Sequence, residues 1–265
     1  KLQTLLDSFL FPSENTQVDW QKVACSVALQ SAFCIITGGP GTGKTTTIST
    51  VVNSLWKAGK KAVLLAPTGR AAKVISGYSK RQALTIHKKI YFPKKDRGGG
   101  VKFVMQPNKH RNTIFIVDEA SMIDISLMSK LLDAVAPHTK LVLLGDKDQL
   151  SSVEAGSVFA DICQGVANGP NYSEGTKNWL SQQTGFAINE VCQEQTQHTL
   201  IDDCLCLLQK SYRFKEKSGI GVLAKAVNNS DINALQSVWS QGFDDISLHT
   251  QDKSQKAVVT LAALG

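Results

Sequence analysis

Eight consecutive residues, Gly38-Gly39-Pro40-Gly41-Thr42-Gly43-Lys44-Thr45, have the types and spacing of a loop that cradles nucleotide phosphates. Glycines there let backbone N–H groups approach a polyanion closely, and a helix opening at the end of the loop adds the favourable end of its dipole. Lys44 is suited to reach the β- and γ-phosphates, the Thr45 hydroxyl to ligate Mg2+, and Thr46 extends the binding loop into that helix. A second group stands 73 residues after Thr45, where Thr113-Ile114-Phe115-Ile116-Val117 runs into Asp118 and Glu119. An apolar strand ending in two acids is the Walker B arrangement: Asp118 would hold hydrated Mg2+, and Glu119 would orient and deprotonate an attacking water. Gln149, in the Gly145–Leu150 segment, offers a neutral amide that can sense a γ-phosphate, and Gln21, 23 residues before Lys44, offers one to an adenine edge. The chemistry these residues could do together is Mg2+-dependent hydrolysis of ATP.

Each group needs an element to aim it. Phe33-Cys34-Ile35-Ile36 reads as a buried strand feeding the glycine loop, with a helix from Thr46 to Ala58 after it. Lys61–Ala66 is a second strand, closed by Pro67-Thr68-Gly69, which breaks it and opens a helix carrying Arg70 and Lys73. Residues 113–117 and 141–144 are the third and fourth strands. Asp19 is placed to cap a helix reaching about Ser31, with Val23, Val27 and Ala28 at helical spacing and Gln21 on its first turn. Four strands with helical crossovers predict an α/β fold, a parallel sheet with helices on both faces. In such a sheet the loops after strand C-termini line the ligand crevice, which puts Thr68, Arg70 and Lys73 on the functional edge.

Composition narrows the class further. The chain has 265 residues, 42% of them hydrophobic, and no apolar run long enough to span a bilayer. Its six cysteines form no CxxC pair and no zinc spacing, which predicts buried, reduced thiols. The first residues lack the order of a signal peptide, and a cytoplasmic protein is expected; the absence of an initiator Met is read as an excised piece. Net charge is +7 but local: residues 57–111 hold fifteen Lys or Arg against one acid, Asp96, a balance of +14, which leaves 7 − 14 = −7 for the rest. A nucleic-acid partner is the economical explanation. Residues 1–18 read as a linker or the tail of a preceding domain, 19–204 as the first domain with a basic, loop-like insertion at about 93–112, and 205–265 as the truncated start of a second domain. The stretch from Gly165 to Gln197 reads as polar and turn-rich, and two helical stretches between Ile220 and Trp239 are broken at Asn228–Asp231.

Taken in order, these segments resemble the superfamily 1 DNA helicases of RecD type. The resemblance rests on Asp19–Ala24, Gly38–Thr47, Ala66-Pro67-Thr68-Gly69-Arg70-Ala71-Ala72-Lys73, Thr85-Ile86-His87, Val117–Asp124, Gly145–Asp161, Leu207–Phe214 and Ser218–Gly221. It implies a RecA-like domain that uses ATP and Mg2+, with Gln21 reading adenine and Lys44, Thr45, Asp118 and Glu119 as the hydrolytic core. Gln149 then resembles the γ-phosphate sensor, and Arg213 an arginine that reaches the γ-phosphate across an interdomain cleft. Thr68, Arg70, Thr85 and His87 resemble positions on a single-strand track, with Lys73 beside them. The family further implies 5′ to 3′ movement, RecB-like and RecC-like partner subunits, and a role in double-strand break repair and recombination, with any nuclease in a partner subunit. Motifs V and VI have no match, so the chain is expected to bind nucleotide and hydrolyse it poorly. A non-translocating, DNA-dependent ATPase switch or loader is the alternative.

Overall fold

In the computed structural model the described residues are 18–57, 59–95, 101–105, 113–136, 139–149, 158–166, 169–192, 198–210, 212 and 218–248. Six parallel strands form one sheet, in the order β3 (Ala83–Thr85), β2 (Lys61–Ala66), β6 (Thr113–Val117), β7 (Lys140–Gly145), β1 (Phe33–Gly38) and β8 (Leu205–Leu208). The central strands are apolar on both faces, as a sheet covered on both sides requires. Their side chains alternate: Cys34, Ile36, Leu64, Ala66, Ile114, Ile116, Val142 and Leu144 join one buried cluster, and Ile35, Leu65, Phe115, Val117, Leu141 and Leu143 join the other.

Helices cover each face. On the first lie α1 (Trp20–Gln30), α2 (Lys44–Lys57), α3 (Gly69–Ser79), α7 (Glu174–Thr184) and α8 (Ile188–Val191), which contribute Val23, Val27, Ile48, Val51, Ile75, Leu180 and Ile188 to the cluster. On the second lie α4 (Ile86–Ile90), α5 (Ile125–Ala134) and α6 (Val158–Ile162), contributing Ile86, Ile90, Leu127, Leu131 and Phe159. This is the predicted α/β architecture, a RecA-like parallel sheet with helices on both faces. Each fully buried Ile, Leu or Phe adds about 1.5–3 kcal/mol of burial. The helix starts are capped where short polar residues stand: Asp19 accepts from Gln21 N and Lys22 N, and Asp124 accepts from Leu127 N at 2.7 Å. All six cysteines are free, and all but the half-buried Cys204 are buried. Among the described residues no helix is long and apolar enough to cross a membrane.

Three readings of the sequence change. The basic insertion is in part an antiparallel hairpin, β4 (Tyr91–Lys95) with β5 (Val101–Met105), rather than a loop. Pro93 fits because a two-stranded ribbon leaves an edge that needs no donor. Leu205–Leu208 does not open a second domain: β8 pairs in parallel with β1, Ile36 beside Cys206 and Gly38 beside Leu208, and the chain divides into two compact units after Lys210. Within the polar stretch 165–197, α7 is an eleven-residue helix capped by Ser173, which accepts from Thr176 N.

The second unit contains α9 (Gly219–Asn228) and α10 (Ile232–Val238), broken where the sequence predicts. Ser218 caps α9 and Asp231 caps α10, and the Asp245 carboxylate accepts from Gly219 N at 2.8 Å and Ile220 N at 3.1 Å.

Candidate functional site

Strands β6, β7 and β1 are adjacent and parallel, so their C-terminal ends bring the acidic pair, the Gln149 loop and the glycine loop to one edge. The loop after β1 needs its glycines for two different reasons. Gly41 and Gly43 have φ of 77° and 87°, in the left-handed region that side chains avoid. Gly38 faces close neighbours instead: a Cβ there would meet Thr42 Oγ1 at 2.6 Å and Leu208 Cβ at 2.9 Å. Thr42 is buried, and its hydroxyl donates to Gly39 O at 2.8 Å, closing the loop on itself. Lys44 opens α2 and donates from Nζ to the carbonyls of Gly38 and Gly39, the latter at 3.1 Å. Thr45 and Thr46 follow on the exposed first turn, and Pro40 lies in the turn between Gly39 and Gly41.

Gln21 comes to the same loop from α1. Its Nε2 donates to Thr42 O at 3.1 Å, and the amide occupies the space a Gly43 side chain would need, 1.9 Å from the ideal Cβ position. The predicted adenine reader is therefore in contact with the phosphate loop's backbone.

Asp118 is buried, with its N–H donating to Leu65 O at 3.0 Å across the end of β2. Its Oδ1 accepts from Glu119 N at 2.9 Å and its Oδ2 from the Tyr78 hydroxyl at 2.7 Å. Glu119 has φ of 56°, a left-handed turn that ends the strand and starts the short 3-10 helix Ala120–Met122. Burial, Asp118 and, less strongly, Asp146 push the Glu119 carboxyl above its ordinary range, while Lys44 pulls it down. A carboxylate with raised proton affinity is a better base toward water. Gln149 is exposed on the loop after β7, and its Oε1 accepts from Ser121 Oγ at 2.6 Å. That loop is tied to β1 by Lys147 N, which donates to Thr37 Oγ1 at 3.0 Å. Gly145 leaves room for the arrangement, since a Cβ there would come within 2.9 Å of Ser121 N.

The residues present fit a nucleotide and its metal ion. The first turn of the fourteen-residue α2 carries no acid, so its N-terminus is open to an anion, and the loop before it is shaped by obligatory glycines. One hydroxyl, Thr45, and one carboxylate, Asp118, would make a sparse ligand set of the kind that suits Mg2+, which keeps waters and takes phosphate oxygens for the rest.

The predicted nucleic-acid residues gather at the neighbouring edge, after β2 and β3, whose ends pair Ala66 with Thr85. Thr68 and Thr85 are both helix caps, accepting from Ala71 N and Lys88 N at 3.2 Å each. Arg70, Lys73 and His87 are exposed, and His87 stacks on Tyr91 with ring centroids 6.0 Å apart. Arg213 lies outside the described residues. Sequence reasoning gave no role to Tyr78 or Ser121. Ser121 had a signal, its place three residues after Asp118; Tyr78 had none, being 40 residues from the acid it holds.

A glycine loop, an acidic pair and the polar loop carrying Gln149, on adjacent parallel strands, define a P-loop protein of RecA-like fold. The AAA domain family model matches residues 21–155, half of the chain. Similar proteins include the RecBCD enzyme subunit RecD of Haemophilus influenzae, 35% identical over 239 residues, covering 82% of this chain and 36% of that one. The RecBCD enzyme subunit RecD of Buchnera aphidicola subsp. Acyrthosiphon pisum is 30% identical over 268 residues, covering 93% and 43%. The ATP-dependent RecD2 DNA helicase of Deinococcus radiodurans is 40% identical over 131 residues, covering 49% of this chain and 18% of that one. The chain belongs to the AAA domain family and is similar to RecD subunits over most of its length. It spans about two fifths of the length of the RecD subunits it matches.

Proposed function

We propose that this chain is the nucleotide-binding motor portion of an ATP-dependent 5′ to 3′ DNA helicase subunit, working with RecB-like and RecC-like partners on DNA ends in the bacterial cytoplasm during break repair and recombination. The observation that carries the reading is the convergence of Lys44, Asp118, Glu119 and Gln149 on one sheet edge, beside a second edge bearing Arg70, Lys73 and His87. Mg2+, when bound with ATP, supplies charge neutralisation on the phosphates. Every other part is the chain's own. The loop's N–H groups and Lys44 bind the phosphates, Thr45 and Asp118 hold the metal ion, and Gln21 meets the base. Glu119 takes a proton from the attacking water, Gln149 reads the γ-phosphate, and Arg213 stabilises charge as it transfers. Thr68, Arg70, Lys73, Thr85 and His87 grip the phosphate backbone of a single strand.

ATP turnover of the full-length protein, with and without single-stranded DNA, tests this reading. Turnover is expected to rise with DNA and to fall at least about 100-fold in Lys44→Ala, the scale of losing one transition-state donor. Turnover indifferent to both DNA and Lys44 refutes it.

A further inference from the structure

Tyr78 holds Asp118 from a helix that follows a different strand. Asp118 ends β6, whereas α3 follows β2, the next strand in the sheet. Tyr78 stands in the last turn of α3, half-buried and packed against the first cluster, where helix and sheet meet. There its hydroxyl donates to Oδ2 at 2.7 Å, while Oδ1 is held at 2.9 Å by the neighbouring Glu119 N–H. The two bonds fix the plane of the carboxylate and leave its remaining lone pairs in a set direction. The same helix buries Ala72 and Ile75, caps on Thr68 and exposes Arg70 and Lys73. One rigid element thus carries two cations on its outside and the grip on the acid on its inside.

We propose that Tyr78 is a positioning residue for Asp118, and that it makes the orientation of the magnesium-water acid depend on the seating of α3, the helix that offers Arg70 and Lys73 to a polyanion. The inference rests on the nucleotide-site reading above and adds a route by which DNA engagement changes the metal site. The net worth of one ordinary hydrogen bond corresponds to about a five- to tenfold change in an equilibrium constant, a lower bound for a bond to a charged group.

The test is binding of a fluorescent ATP analogue, mant-ATP, across a Mg2+ titration, in wild type, Tyr78→Phe, Asp118→Asn and the double variant. Phenylalanine keeps the ring and removes only the donor. In Tyr78→Phe the Mg2+ concentration for half-maximal binding is expected to rise about five- to tenfold, with affinity in EDTA changed less than about twofold; in Asp118→Asn, adding Tyr78→Phe is expected to cause no further rise. A role in packing alone would move both affinities together. Added oligo-dT is expected to lower the half-point in wild type and not in Tyr78→Phe. A Tyr78→Phe protein that titrates like wild type, or loses EDTA affinity in parallel, overturns the positioning role. An oligo-dT shift absent from wild type, or equal in both, overturns the coupling. A wild type that binds no mant-ATP at any Mg2+ concentration overturns the nucleotide site itself, and this inference with it.

Discussion

Ser121 donates its hydroxyl hydrogen to the amide oxygen of Gln149 at 2.6 Å, joining the turn after β6 to the loop after β7. The bond fixes which way the amide faces: with the oxygen occupied, the NH2 group is the part left for a phosphate oxygen. Ser121 is 2% exposed, so the hydroxyl has little water to turn to, and Gln149, which is exposed, gains its orientation from it.

Ser121→Ala should therefore loosen Gln149 without touching the phosphate loop. The expected outcome is a turnover number about three- to tenfold lower, from one lost hydrogen bond, with the KM for ATP within about twofold of wild type. In Gln149→Ala the further change Ser121→Ala should cost little, because the group it orients is already gone. Steady-state kinetics on the four proteins of this double-mutant cycle decides it; additive losses would separate the two residues.

Gly43 makes a different kind of prediction, because two penalties coincide there. Its φ of 87° strains any side chain by about 1–2 kcal/mol, and a Cβ would run into Gln21 Nε2. The far end of a glutamine can swing away, so Gly43→Ala should survive folding but lose the Gln21 bond to Thr42 O. A loss of about 1–3 kcal/mol in denaturant unfolding is expected. Gln21→Ala in the same chain should recover the steric part and leave the backbone part. Circular dichroism through a urea titration measures both.

Glu119 carries the pH dependence. Its carboxyl is raised above the ordinary 4.5, by burial first and then by Asp118. The folded chain therefore binds this proton more tightly than the unfolded chain. Stability falls as pH rises from about 4.5 through the raised value, and the penalty persists at every higher pH. Glu119→Gln removes the penalty, so its melting temperature at pH 8 should exceed wild type by about 1–2 °C, the site being half open to solvent. The gain should vanish below about pH 4.5, where both proteins are neutral at this position. Turnover should drop by about 100-fold or more with mant-ATP binding retained.

How much of this could be read beforehand differs by residue. Strands β1, β2, β6 and β7 were legible because four or five apolar residues in a row run into proline, acid or glycine, in β1 through one threonine. The same clarity placed Lys44, Asp118 and Glu119 on one edge. β8 misled because Leu205-Cys206-Leu207-Leu208 is equally good as an edge strand or as the opening of another sheet; only its pairing with β1 decides. α7 was invisible because its apolar stripe is narrow, with Leu180 fully buried amid Lys177, Gln182 and Gln183. Tyr78 on Asp118 and Gln21 on Thr42 are contacts between elements, and residue spacing along one element carries no information about them.

The edge beside the nucleotide site makes the last prediction. Arg70 and Lys73 are exposed on α3, just past the Thr68 cap, within a stretch of 57–111 that carries a charge balance of +14. If each cation neutralises one phosphate of a single strand, each releases counterions, and the logarithm of affinity falls with the logarithm of salt by about 0.7 per contact. Arg70→Ala and Lys73→Ala should each reduce that slope by about 0.7, and the double change by about 1.4. Because phosphate contacts carry no sequence information, the loss should be the same on oligo-dT and on mixed sequence. Tyr91, stacked on His87, supplies a contrast: a ring that meets a base contributes through its face, so Tyr91→Ala should lower affinity and leave the salt slope unchanged. Fluorescence anisotropy of labelled oligonucleotides from 50 to about 300 mM salt reads both quantities. An unchanged slope in the Arg70 and Lys73 variants would mean that the single strand runs elsewhere on the molecule.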